Sequence, residues 1–208
     1  MTTSSRSSRR PAPLNSLLEA ELYFMVAACP ACGGGLAVAA EHVHWDAPGG
    51  VLTVPAHCTG CGGEVTRRFA TRRVPAGELQ RGCVVWPPSG ERSAEQPINP
   101  GGRRSAVIDV AGWLSLHDRF VEAARLAGQE SDAAGRGEVR RLLLLAGACL
   151  EEALRFYEPE NDLPPARGLF TAASRRQLRE HPERFARPRL IGLRARLPFA
   201  ALRRNRPA

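Results

Sequence analysis

Cys29-Pro30-Ala31-Cys32-Gly33-Gly34 and Cys58-Thr59-Gly60-Cys61-Gly62-Gly63 are two turns of one form, C-x-x-C-G-G, with 25 residues between Cys32 and Cys58. The C-x-x-C spacing lets both thiolates of a tight turn face one metal ion. The glycine after each pair permits the left-handed backbone that such a turn needs. Two such turns supply a closed, tetrahedral four-thiolate site. The interval between them suits two strands and a reversal. Leu36 to Trp45 alternates enough to predict one strand, Ala47-Pro48-Gly49-Gly50 a turn, and Val51-Leu52-Thr53-Val54 a second strand. Glu64 to Thr71 predicts a third, with Val65 and Phe69 on one face.

Residues 23–73 resemble a zinc ribbon with rubredoxin-like knuckles. The first knuckle, Cys29-Pro30-Ala31-Cys32-Gly33, matches the C-P-x-C-G form; the second, Cys58-Thr59-Gly60-Cys61-Gly62, lacks the proline and keeps the glycine. The resemblance implies a structural Zn²⁺ held by Cys29, Cys32, Cys58 and Cys61. Iron in the same site, a redox pair and disulfides are the competing uses. Redox C-x-x-C motifs usually occur singly at a helix start, and disulfides suit a secreted chain. Zinc ribbons serve in transcription, translation, enzymes and adaptors, so the likeness implies a metal and a fold without a function. Cys149 reads as a buried apolar residue, and so does Cys83, for which a fifth thiol near the metal is the alternative.

Working outward, residues 1–13 are Ser/Arg-rich and read as a disordered tail, and 14–85 as the ribbon unit. The apolar run before Cys29 is too short, and too broken by Glu19 and Glu21, for a secretory signal. No run is long enough for a membrane span. The expected setting is therefore reducing and cytoplasmic, with no membrane partner. Residues 86–104 are rich in Pro and Gly and read as a linker. Residues 105–200 read as an α-helical unit and 201–208 as a basic tail. Asp109 caps a helix running to about Leu126, with Val110, Trp113, Leu114, His117, Phe120, Val121 and Ala124 on its apolar side. After a polar loop over 128–137, a second helix over 138–157 carries Leu142, Leu145, Ala146, Cys149, Ala153 and Phe156. The pair forms a hairpin whose broad apolar face needs a cover: the ribbon, the C-terminal segment or a second copy. Two short helices follow, over 172–181 and 187–197. The expected fold class is α+β.

All 29 basic residues are arginine, so every mechanism that needs a lysine is excluded, the P-loop and the Schiff base among them. Net charge is +8. Residues 164–208 carry +10 and 64–104 carry +4, against −4 for 14–63 and −5 for 105–163. Such basic segments attract nucleic acid or an acidic protein. On the third strand and its exit, Arg67 and Phe69 share one face, with Arg68 and Arg72 on the other and Arg73 following. With Arg175, Arg176 and Arg179 of the first C-terminal helix, these are the candidate nucleic-acid contacts. His42, His44 and His57 lie near the ribbon, and read as exposed sheet residues rather than as a second metal site. No nucleophile elbow, H-E-x-x-H or dinucleotide fingerprint is present. The expected function is a non-enzymatic binding module for an anionic partner. A protein adaptor working through the helical hairpin is the alternative, and a small metal-dependent enzyme using the histidines a third reading.

Overall fold

The computed structural model describes residues 10–46, 50–79, 86, 97–129 and 133–197. Cys83, the turn residues 47–49 and the tail 201–208 lie outside them. The fold is α+β: a mixed sheet of five strands followed by a helical assembly.

The central strand is β4 (Val51–Cys58), longer than the expected Val51–Val54. It pairs antiparallel with β5 (Glu64–Ala70) on one side and with β2 (Leu36–Val38) and β3 (His44–Asp46) on the other. The single strand expected over 36–45 is thus broken. Residues 40–42 form a 3₁₀ turn between its halves. Pro55 explains the break. Its carbonyl accepts from Ala39 N at 3.0 Å, so its ring nitrogen faces the same side and has no N–H to offer. The outer strand bulges away where the ladder has lost its donor. β1 (Ala12–Pro13), expected in a disordered tail, lies parallel beside β5, and Leu14 N donates to Ala70 O at 2.9 Å.

Helix α1 (Leu17–Val26) was not expected. Ser16 caps it by accepting from Glu19 N at 3.0 Å, and the Glu19 carboxylate reaches back to Asn15 N at 2.7 Å. The helix is apolar on two sides. Leu17, Ala20 and Phe24 enter the sheet core with Leu52, Val54 and Phe69, while Leu18 and Leu22 enter the helical core. A helix apolar all round is a buried one.

The helical core is built on α2 (Val110–Ala127) and α3 (Ala133–Leu154), an antiparallel hairpin as expected. Asp109 caps α2, accepting from Gly112 N at 2.9 Å. The second helix begins within the stretch read as a loop. Trp113, Leu116, Ala146, Cys149 and Leu150 are fully buried, and Val121, expected on the apolar side, is 37% exposed. The hairpin's cover comes from the chain itself: Leu18 and Leu22 of α1, and Phe185 and Leu190 from the C-terminal segment. That segment comprises α4 (Ala172–Glu180), a 3₁₀ turn at 182–185 and α5 (Arg187–Ala195). Ile98 and Asn99, read as part of the linker, are fully buried. Asn99 Nδ2 donates to Glu19 at 3.1 Å and to Glu152 at 3.0 Å, tying α1 to α3.

Candidate metal centre

The two cysteine turns fold alike. Cys29 N donates to Gly34 O at 2.7 Å, and Gly33 N to Cys29 O at 2.8 Å. In the second turn Cys58 N donates to Gly63 O and Gly62 N to Cys58 O, both at 2.9 Å. Gly33 and Gly62 take φ of 76° and 71°, the left-handed conformation that glycine tolerates best. Gly34 is needed for a different reason: a Cβ there would lie 3.0 Å from Cys58 Sγ and 3.3 Å from Cys32 Sγ.

β2 and β4 deliver the turns to one end of the sheet, where Thr59 N donates to Gly35 O at 3.0 Å. All four sulfurs then lie within 4.8 Å of one another. Cys29 Sγ stands 3.8 Å from Cys61 Sγ, and Cys32 Sγ 3.4 Å from Cys58 Sγ. A metal with bonds of about 2.3 Å to sulfur needs tetrahedral edges of about 3.8 Å, so the donor set fits one such ion. Cys29 and Cys58 are buried among the apolar residues of the sheet core; Cys32 and Cys61 are exposed. Among the described residues this is the one group of three or more His, Cys, Asp or Glu placed to share an ion.

Backbone dipoles prepare the site for negative charge. Cys61 N and Gly60 N point at Cys58 Sγ from 3.4 and 3.3 Å, and they pull that thiol down to about 6. At Cys32 the Gly34 N–H acts in the same sense, but the sulfurs of Cys58 and Cys61 outweigh it and hold the thiol up to about 12. The Cys58 proton leaves readily and the Cys32 proton resists, because a second thiolate would face the first in repulsion. A cation at the centre removes that repulsion, so loading releases protons.

No family model, curated protein or solved structure matches this chain.

The remaining candidate residues are not gathered into one site. Phe69 is buried against Tyr23 and Phe24, with ring centroids 5.5 and 6.3 Å away, so it has no face free for stacking on a base. Arg67 points inward with it and is half-buried. Arg68, Arg72 and Arg73 are exposed, as are Arg175, Arg176 and Arg179 on α4. The C-terminal arginines divide into two sets. Arg175 donates to Leu169 O at 3.0 Å, Arg187 to Pro159 O at 2.6 Å, and Arg184 pairs with Asp118. These three serve the fold. His42, His44 and His57 are exposed and spread along the sheet: His44 pairs with Thr53 and His57 with Ala37.

Two features were missed from the sequence. The Glu19–Asn99–Glu152 network had one legible sign, the S-x-x-E signature at Ser16 to Glu19 before an apolar run. The other is a cleft behind Arg67, which no local pattern announces because four separate segments build it.

Proposed function

We propose that this chain is a non-catalytic binding module, folded around one structural Zn²⁺ and engaging nucleic acid through exposed arginine. The closed four-sulfur set supports a structural metal, since a catalytic zinc keeps a coordination position open for water. The anionic partner rests chiefly on charge placement. Arg176, Arg179, Arg189 and Arg196 are exposed on a segment carrying +10, and Arg68, Arg72 and Arg73 are exposed at the end of β5. Phosphate accepts two parallel hydrogen bonds from a guanidinium, so such a surface holds a backbone without reading bases. The burial of Phe69 favours backbone contact over stacking. The apolar face of the helical hairpin is occupied by α1 and the C-terminal segment, which favours this reading over a protein adaptor.

The test is anisotropy of labelled single-stranded RNA and DNA against the zinc-loaded chain, across a salt series. Log affinity falls linearly with log salt if phosphates are neutralised. Changing Arg176, Arg179 and Arg189 to Gln, which leaves the Arg175 bond to Leu169 O intact, lowers affinity alike for every sequence, and reduces the slope by roughly one unit for each phosphate no longer neutralised. A triple variant with the parent's affinity and slope moves the function to a protein partner. Metal analysis of chain purified without chelator separately checks zinc against iron.

A further inference from the structure

A cleft of about 460 Å³ lies where the end of α1, strand β5, the start of α2 and the start of α4 meet. That is within the size range of small-molecule sites. Its walls are largely apolar: Tyr23, Val26, Val107, Ile108 and Phe170 line it. Three charged side chains also line it, Arg67, Arg119 and Asp109.

Their hydrogen bonding sets them apart. Asp109 is fully used, accepting from Gly112 N at 2.9 Å and from Phe170 N at 2.8 Å. Arg119 donates to Met25 O. The Nε–H of Arg67 is buried and has no acceptor among the described residues. Among the described residues three buried side-chain polar atoms lack a partner: Asn15 Oδ1, Trp113 Nε1 and Arg67 Nε. Of these residues Arg67 alone lines the cleft. A buried guanidinium N–H without an acceptor is costly to the fold unless something supplies one.

We infer that this cleft binds a small monocarboxylate with an apolar body, its carboxylate on the Arg67 guanidinium and its body on the apolar wall. Two arginines and one aspartate leave a formal charge of +1, which matches a monoanion better than a phosphate dianion. The helix starts offer no competing anion site, because Asp109 caps α2 and Thr171 caps α4, accepting from Ser174 N at 3.0 Å. Arg67 thereby leaves the nucleic-acid surface, and the site stands whether or not that surface binds anything.

The experiment is calorimetric titration of the metal-loaded full chain with 4-phenylbutyrate, its neutral amide and phenyl phosphate. The carboxylate binds saturably below millimolar concentration, and the amide at least about tenfold more weakly, as loss of a charge-assisted hydrogen bond requires. Arg67→Gln loses at least about tenfold in carboxylate affinity. Ala173→Trp, at an exposed position on the α4 side of the cleft, blocks it without touching either core. Arg176→Gln, off the cleft, binds as the parent does. Absence of saturable binding, equal affinity for the amide, or tighter binding of phenyl phosphate overturns the assignment. So does full-strength binding by both Arg67→Gln and Ala173→Trp. Metal content and helical circular dichroism of each variant show that loss of binding is not loss of fold.

Discussion

Two neighbouring glycines in the first cysteine turn have different duties. Gly33 has nothing within 4 Å of where a Cβ would stand, but its φ is 76°. Alanine there incurs backbone strain of about 1–2 kcal/mol and leaves the sulfurs where they are. Gly34 has an ordinary φ and lies hard against two sulfurs. Alanine there pushes Cys58 Sγ or Cys32 Sγ off its tetrahedral corner. Competition with a chromophoric chelator should therefore show Gly34→Ala losing about tenfold or more in metal affinity, in line with other groups that orient ligands. Gly33→Ala should show the smaller loss. The reverse order would mean that the turn's backbone, not the crowding of its sulfurs, limits binding.

Between elements, the junction of most consequence is that of α1 with α3 through Asn99. Burial raises Glu152 to about 7; Arg155 and the Asn99 hydrogen bonds oppose the rise, and the Glu19 charge adds to it. Burial likewise raises Glu19, against hydrogen bonds from Asn15, Ser105 and Asn99. Folded chain therefore holds protons that unfolded chain releases above pH about 4.5. The contribution is fully present below that pH and is lost as pH rises to about 7, by up to roughly 1.4 kcal/mol per pH unit for Glu152. Metal–thiolate bonds respond to pH with the opposite sign. Denaturant titrations of parent and Glu152→Gln at a series of pH values separate the two effects: the parent declines relative to the variant, and parallel slopes would exclude the carboxylate as the cause. The sequence shows such elements unevenly. The knuckles were legible because each is a local device repeated at fixed spacing. So were α2 and α3, whose apolar residues recur on one side. Helix α1 was not, because a helix apolar on both sides has no stripe to read. The split between β2 and β3 was hidden because its cause, Pro55, sits on a different strand. Arg67 and Phe69 were rightly placed on one face of β5, but alternation cannot say which face is inside.

For the molecule as a whole, α1 makes the sheet core and the helical core neighbours through one helix. Stripping the metal frees Cys29 and Cys58 from the sheet core and loosens the support under Leu17, Ala20 and Phe24. The other side of the same helix carries Leu18 and Leu22. Chelation, or Cys58→Ser, should consequently lower the thermal midpoint of the helical signal as well as unfold the sheet. Far-UV circular dichroism with and without chelator checks this, and an unchanged helical midpoint would mean that the two cores stand independently. The arrangement also bears on how the chain is made. Asn99 is added 80 residues after Glu19, and Glu152 a further 53 after that. At ribosomal speeds of roughly 5–20 residues per second, α1 waits on the order of ten seconds for its second set of neighbours. Through that interval Glu19 sits ionised beside Leu18 and Leu22, so the waiting surface of the nascent chain is charged as well as greasy. The carboxylate that later strains the interior first keeps the half-made protein from adhering to its neighbours.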